Sequence, residues 1–182
     1  AMHAGIDRMA MDTNPTMENV IKNIIENALP HLSSLTEGIN MPQRGKFRFT
    51  SDLEDVASNS DFIQENVPEN LDIKKAVLSK VSKNSNSDII IASSTSGFMP
   101  SEMQVSVSEP HRFLVGHPFN PVYLCPLVEI VGGRLTSLDT KKAAKEFYES
   151  LGMHALMVRK EVPGHISDRL QEAMWREILH AL

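Results

Sequence analysis

The stretch GHPFNPVYLCPLVEIVGG, residues 116–133, joins two apolar segments through a connection that contains several prolines. The first segment, RFLVGH, ends at His117, and the second, LVEIVGG, carries a single carboxylate, Glu129. Continuous apolar runs of this length are typical of strands that are buried on both faces of a sheet. An unpaired buried carboxylate is strongly unfavourable, so the pattern raises the question of which donors pair with Glu129.

Apolar strands and amphipathic helices alternate on both sides of this stretch. Predicted strands are IDRMAMD, KFRFT, DFIQENV, SDIIIASS and HALMVRK, and predicted helices are MENVIKNIIENALPHL, SDLEDVA, PENLDIKKAVLSKVSK, PSEMQ and residues 137–151. Pro30 is expected to kink or end the first of these helices, because proline removes a helical hydrogen bond. The alternation predicts an α/β fold, doubly wound, with an open, mostly parallel sheet and helices on both faces.

The two ends of the chain differ from this pattern. AMHAG, residues 1–5, is typical of the last turn of a helix closed by Gly5, so a preceding strand and loop are expected to be missing. From Pro163 onward no strand is predicted, and PGHISDRLQEAMWREILHAL is predicted to be one helix that runs to the last residue. We therefore expect an α/β domain over residues 1–162 and the start of a helical C-terminal domain over residues 163–182.

Composition excludes several classes of function. The 182 residues carry 18 basic and 23 acidic side chains, mixed along the chain, so no basic surface for nucleic acid or an anionic membrane is predicted. One cysteine, Cys125, the absence of a signal-peptide pattern and the absence of a long apolar run favour a cytoplasmic protein. The seven histidines lack the spacing of zinc ligands, so no metal site is predicted.

Polar residues at strand ends are the candidates for chemistry, because open α/β sheets bind ligands at the carboxyl ends of their strands. If the strands of His117 and Glu129 are neighbours, the carboxylate can fix the imidazole tautomer and leave the other nitrogen free to take a proton. This pair is then a general base, or alternatively a structural tie between two strands. Asn120 can donate its amide to a substrate oxygen, or serve as a turn residue.

Two further polar positions can have either a functional or a purely structural role. Asp12 follows a predicted strand at the place where dinucleotide-binding units put the acid that binds the adenosine ribose, but it can also simply open the DTNP turn. The SSTSG cluster at residues 93–97 closes an apolar strand, and its simplest role is to cap the following helix.

Three motifs together resemble a known family. SSTSG, GHPFNPVYLCPLVEIVGG and PGHISDRL, in this order, resemble the L-3-hydroxyacyl-CoA dehydrogenase superfamily, most closely its L-carnitine dehydrogenase branch. The spacing is that of the family, since His117 lies 21 residues after Ser96 and Glu129 lies 12 residues after His117. The resemblance implies a Rossmann-like NAD-binding domain over residues 1–162, a helical domain for dimerisation and substrate binding from residue 163, and a homodimer.

The resemblance also implies a reaction, the NAD-dependent oxidation of the 3-hydroxyl group of L-carnitine to 3-dehydrocarnitine. His117 is implied to be the general base and Glu129 the group that orients it, while Ser96 and Asn120 hold the substrate oxygen. The alternatives are oxidation of another 3-hydroxy acid or of a 3-hydroxyacyl-CoA, or a structural relative without catalytic activity.

Cofactor contacts implied by the resemblance are Asp12 to the adenosine ribose, and Glu69 and Lys74 at the turn before a helix. Lys74 can equally be a solvated helix residue. The glycine-rich loop that the family places before this point in the chain is not present ahead of Asp12.

A departure from the family pattern concerns substrate charge. Where acyl-CoA dehydrogenases have the motif PGFxxNRL, this chain has PGHISDRL, with Asp168 in place of asparagine. A carboxylate there suits a quaternary ammonium group, and Phe119, Tyr123 or Trp175 can add cation–π contacts, although packing in the core is the simpler role for each aromatic ring.

Overall fold

The computed structural model describes residues 1–182. Its strands are β1 (Arg8–Met11), β2 (Phe47–Thr50), β3 (Phe62–Glu65), β4 (Ile90–Ser93), β5 (Phe113–Pro118), β6 (Leu127–Gly132) and β7 (His154–Val158). Its helices are α1 (Met17–Leu35), α2 (Leu53–Ser58), α3 (Leu71–Asn84), α4 (Pro100–Gln104), α5 (Leu138–Ser150) and α6 (Ser167–His180). The predicted alternation of strands and helices is confirmed.

The strands form two sheets. The larger sheet has the order β3-β4-β5-β6-β7, and all of its neighbouring strands are parallel except β5 and β6. The parallel strands β1 and β2 pair only with each other, so the prediction of a mostly parallel arrangement is confirmed but the strands do not share one sheet. No strand hydrogen-bonds to both β1 and β3, and helix α2, which contacts β1, β2 and α3, connects the two parts.

The antiparallel pairing of β5 and β6 follows from the length of their connection. Only residues 119–126 separate these strands, which is too short for the crossover that parallel neighbours require. In the resulting register His117 lies directly opposite Glu129. Both side chains lie on the same face of the sheet as Val115 and Val131, because residues two apart in a strand share a face.

Apolar residues cover both faces of the larger sheet. On one face, side chains of β4, β5 and β6 pack against Leu78 and Val81 of α3 and Met103 of α4. On the other face they pack against Ala144 and Tyr148 of α5. Helices therefore lie on both faces, as the sequence predicts.

A glycine allows α5 to approach this sheet closely. A Cβ atom at Gly116, in the middle of β5, would lie 2.1 Å from the hydroxyl oxygen of Tyr148. The Tyr148 hydroxyl group is held in place because it donates a hydrogen bond to Gln64, which in turn donates to the carbonyl of Gly116. Burial raises the pKa of the Tyr148 phenol well above its ordinary value.

Pro30 does not end α1, and the predicted start of the C-terminal helix is wrong. Helix α1 continues through Pro30 to Leu35, since the proline frees only the carbonyl of Glu26, an exposed residue whose carbonyl water can solvate. The C-terminal helix begins at Ser167 and not near Pro163, because the chain first turns through Gly164 (φ 71°) and His165 (φ 49°). It ends at His180.

None of the helices combines the length and apolar composition that crossing a bilayer requires.

Candidate active site

The polar interaction expected between the two strands is present. Glu129 Oε2 lies 2.9 Å from His117 Nδ1, and both side chains are buried. Because a carboxylate only accepts hydrogen bonds, Nδ1 carries the proton and Nε2 presents its lone pair. The geometric part of the prediction is thus confirmed, and the tautomer is the one that a general base requires.

Glu129 has a second set of partners that the sequence does not indicate. Its Oε1 accepts hydrogen bonds from the backbone N–H groups of Ile166 and Ser167, at 3.0 and 3.1 Å, at the N-terminus of α6. Burial raises the pKa of Glu129, but the hydrogen bonds from His117, Ile166 and Ser167 outweigh burial and lower the pKa below its ordinary value. Three donors therefore hold the buried carboxylate in its charged form.

Ser96 lies on the other side of the imidazole. Its Oγ is 3.2 Å from His117 Nε2, and the residue is exposed in the loop that follows β4. Since Nε2 accepts, the serine hydroxyl donates. A ligand hydroxyl that reaches this position meets both the nitrogen lone pair and the serine oxygen.

A buried ion pair lies beneath the loops that follow β3 and β4. Lys74 is 1% exposed, and its Nζ lies 3.0 Å from Glu65 Oε1, 3.0 Å from the carbonyl of Val67 and 3.4 Å from Glu69 Oε2. Glu65 also accepts from the hydroxyl of Ser93 at the end of β4. Lys74 is therefore not a solvated helix residue, and its ammonium group contacts carboxylates and a carbonyl inside the protein.

Glu69 is the member of this network that reaches the surface. Its side chain is 46% exposed, and its Oε1 accepts from the Thr95 hydroxyl and from the backbone N–H of Gly97 at 3.1 Å. Burial raises its pKa, but these bonds and the charge of Lys74 lower the pKa below the ordinary value. An ionised Glu69 thus fixes residues 95–97.

Asp12 follows β1 and performs the turn role expected of it. Its Oδ1 accepts from the backbone N–H of Asn14 at 2.8 Å. The structure does not bring Asp12 into hydrogen-bonding contact with the His117–Glu129 pair.

Of the three candidate aromatic rings, one lies beside the imidazole. The ring of Phe119 is 5.2 Å from that of His117, centroid to centroid. Tyr123 stacks instead on His31 of α1, at 5.9 Å, and Trp175 is 52% exposed on α6, about 12 Å along the helix from Ser167. The structure brings Phe119 to the pair and does not bring Tyr123 or Trp175.

The last two candidates flank the same region. Asn120 is exposed, two residues beyond the end of β5, and its side chain makes no hydrogen bond in the protein. Asp168 is half-buried in the first turn of α6, directly after the backbone groups that bind Glu129. No group of three or more metal-ligating side chains is present.

Sequence reasoning missed His165. The residue is fully buried, its ring lies 5.4 Å from that of His117, and its Nε2 lies 3.0 Å from the carbonyl oxygen of Thr95. Its Nδ1 has no hydrogen-bond partner. Burial, the largest effect, lowers the pKa of His165. The signal for it was visible at the position where the PGFxxNRL motif has phenylalanine.

A mostly parallel α/β arrangement with helices on both faces of the sheet is that of the Rossmann-like dinucleotide-binding domains. The chain belongs to the family of the 3-hydroxyacyl-CoA dehydrogenase NAD-binding domain, whose sequence profile matches residues 1–162. NAD is therefore the cofactor of this domain.

Curated relatives within this family are named L-carnitine dehydrogenase. The L-carnitine dehydrogenase of a Pseudomonas species is 49% identical over 180 residues, and that of Pseudomonas aeruginosa is 47% identical over 180 residues. Each alignment covers 99% of this chain and 56% of the relative. The chain thus spans about half the length of the curated relatives it matches.

A solved structure is similar over nearly the whole chain. The crystal structure of 5-formyl-3-hydroxy-2-methylpyridine 4-carboxylic acid 5-dehydrogenase, an NAD⁺-dependent dismutase, superposes with a TM-score of 0.88 at 32% identity. The match covers 98% of this chain and 58% of that protein. The fold predicted from the sequence is therefore confirmed.

Proposed function

We propose that the protein oxidises the 3-hydroxyl group of L-carnitine to 3-dehydrocarnitine with NAD. The observation that carries this proposal is the buried His117–Glu129 pair, whose free Nε2 faces Ser96 at the end of β4. The two relatives named L-carnitine dehydrogenase, 49% and 47% identical, support the choice of L-carnitine among 3-hydroxy substrates.

In the proposed reaction His117 removes the hydroxyl proton. Nε2 accepts it, and the imidazolium that forms is stabilised by Glu129 through the Nδ1–H bond. Bound NAD supplies the hydride acceptor, so the carbon loses a hydride, the oxygen loses a proton and a carbonyl group forms. Ser96 and Asn120 hold the substrate oxygen.

Cofactor contacts are proposed for two carboxylates. Asp12 binds the adenosine ribose through the oxygen that Asn14 does not occupy, and Glu69 contacts the cofactor from its exposed edge. Lys74, buried behind Glu69, supports that carboxylate by charge and not by direct contact.

The quaternary ammonium group of L-carnitine is proposed to lie between Asp168 and Phe119. Asp168 lies in the first turn of α6, next to the backbone N–H groups that bind Glu129, and Phe119 packs beside His117, so both residues lie in segments that contact the His117–Glu129 pair. An aromatic face contributes about 0.5 to 2 kcal/mol to binding such a cation.

Turnover of two substrates tests the proposal. Formation of NADH should be measured for the purified protein with L-carnitine and with 3-hydroxybutyryl-CoA, and we expect a clear preference for L-carnitine. His117→Gln should lose at least about 10²-fold in rate in the same assay, because a positioned base contributes that much. A preference for the thioester would contradict L-carnitine as the substrate. Full activity of His117→Gln would contradict the role of His117 as the general base.

The ammonium site has its own test. Asp168→Asn should raise KM for L-carnitine up to about fivefold and leave KM for NAD unchanged, because a charge pair near the surface is worth up to about 1 kcal/mol. An unchanged KM for L-carnitine would show that another group neutralises the substrate.

We also propose that residues 163–182 begin a helical domain through which the protein forms a homodimer, and that the protein is cytoplasmic. The family profile ends at residue 162, and α6 exposes an apolar stripe at Leu170, Met174 and Ile178. The single cysteine favours a reducing compartment. Light scattering of the wild type and of Met174→Glu tests the dimer, and cell fractionation tests the location.

A further inference from the structure

His165 completes a closed ring of interactions around the imidazole of His117. Ser96 donates to one nitrogen of His117 and Glu129 accepts from the other. Glu129 is held by the N–H of Ile166, the residue after His165, and His165 is bonded to the carbonyl of Thr95, the residue before Ser96. Two links of this ring are peptide bonds, Thr95–Ser96 and His165–Ile166, and the hydrogen bond from His165 to Thr95 connects these two pairs.

The bond to Thr95 controls the direction of Ser96. The carbonyl of Thr95 and the N–H of Ser96 belong to the same planar peptide group, so a fixed carbonyl oxygen also fixes the start of the serine residue. The N–H of Gly164 reinforces this contact by donating to the carbonyl of Gly97 at 3.3 Å. The turn before α6 thus holds residues 95–97 from one side, while Glu69 holds them from the other.

The carbonyl acceptor of Thr95 determines which nitrogen of the His165 imidazole carries the proton. A carbonyl oxygen only accepts, so Nε2 of His165 carries the proton and the unpartnered Nδ1 is a bare lone pair. Burial favours this neutral form. A neutral imidazole beside His117 can position its neighbours without competing for the substrate proton.

We propose that His165 is a positioning residue for the dehydrogenase reaction: its Nε2–H bond to the Thr95 carbonyl keeps Ser96 and Glu129 on opposite nitrogens of His117. This inference rests on the proposed function. It adds a fully buried residue that acts through Ser96 and through the turn that binds Glu129.

Three substitutions at one position test the proposal. His165→Phe keeps a ring and removes both nitrogens. His165→Gln places an amide N–H near the position of Nε2, whereas His165→Asn places it near Nδ1, too short to reach Thr95. Asparagine also tolerates the left-handed conformation at φ 49° better than other side chains, so a loss in that variant is not a backbone effect.

Steady-state kinetics should use whichever of L-carnitine and 3-hydroxybutyryl-CoA the wild type prefers. We expect His165→Phe and His165→Asn to lower kcat about 10- to 100-fold with KM for NAD unchanged, and His165→Gln to stay within about threefold of the wild type. Equal losses in all three variants, or no loss in any, would overturn the proposal. If the wild type turns over neither substrate, the proposed function is wrong. If only the variants are impaired, the proposed function is unaffected.

A measurement on the wild-type protein avoids dependence on the folding of variants. The ¹⁵N shifts of the His165 ring should show a protonated Nε2 and a bare Nδ1 at neutral pH. A doubly protonated ring, or the opposite tautomer, would contradict the proposed bond to Thr95.

Discussion

Glu129 and His117 lie opposite each other in the antiparallel pair of β5 and β6, and the carboxylate of Glu129 uses its two oxygens for different elements. One oxygen accepts from the imidazole, and the other accepts from the first N–H groups of α6. The residue that orients the proposed base therefore also fixes the start of the C-terminal helix. A carboxylate at a helix N-terminus is favoured by the orientation of the peptide dipoles.

Glu129→Gln should lower kcat about 10²- to 10⁴-fold. Glutamine has nearly the same shape, but its amide can donate to Nδ1 and so favour the tautomer in which Nε2 carries the proton. Circular dichroism should show that the fold is retained while NADH formation falls. The matched control is Glu161→Gln, which alters another largely buried carboxylate, bonded to Ser101, and should keep wild-type kcat. Wild-type kcat in Glu129→Gln would contradict the orienting role.

Stability should fall in acid because of the same residue. The pKa of Glu129 is lower in the folded protein than the ordinary value of 4.5, so the unfolded chain binds a proton that the folded chain does not. Its contribution is fully present above that value and is lost as pH falls through the folded pKa. Urea titrations at several pH values between about 5 and 3 measure the free energy of unfolding as a function of pH. The slope of that free energy against pH should be up to about 1.4 kcal/mol per pH unit smaller in Glu129→Gln than in the wild type. Parallel curves for the two proteins would contradict this.

Lys74→Met should destabilise the fold by about 3 to 5 kcal/mol, because it leaves Glu65 buried without its counter-charge. The double variant Lys74→Met with Glu65→Gln should recover much of the loss. Unfolding free energies from urea titrations measure both effects. Lys80→Met, on the exposed side of α3, is the control and should change stability little. A small effect of Lys74→Met would mean that water reaches the ion pair.

Gly116→Ala should lower stability by about 1 to 3 kcal/mol, since its Cβ would overlap the hydroxyl of Tyr148. Thermal unfolding should show a lower Tm. Adding Tyr148→Phe should restore part of the loss and not all of it, because the ring carbon that bears the hydroxyl also lies within 2.8 Å of that Cβ position. An additive double variant would contradict direct contact between the two sites.

Local patterns were sufficient to predict most of the fold. Apolar runs predict the strands of the larger sheet, and the short connection over residues 119–126 accounts for the pairing that brings His117 to Glu129. Asp52 and Ser137 cap α2 and α5 as their residue types favour. Of the two outcomes predicted at Pro30, a kink or an end, the structure excludes the end: α1 continues past it, and Glu26, whose carbonyl loses its helical partner, is an exposed residue.

The parts of the site that sequence reasoning missed depend on tertiary contacts. Nothing in the spacing of Glu65 and Lys74 indicates that the lysine is buried, because that depends on how α3 packs behind β3 and β4. His165 was hidden within a segment predicted as continuous helix, whereas the turn at Gly164 and His165 carries its ring beneath Thr95. Such long-range contacts leave no periodic signal in the chain.

Residues 95–97 are held by Glu69 on one side and by the Gly164–His165 turn on the other. If the proposed function holds, a redesign of the protein for another alcohol has to change these three residues together with the two groups that hold them. Libraries that vary the loop together with positions 69 and 165 should yield more active variants than libraries that vary the loop alone.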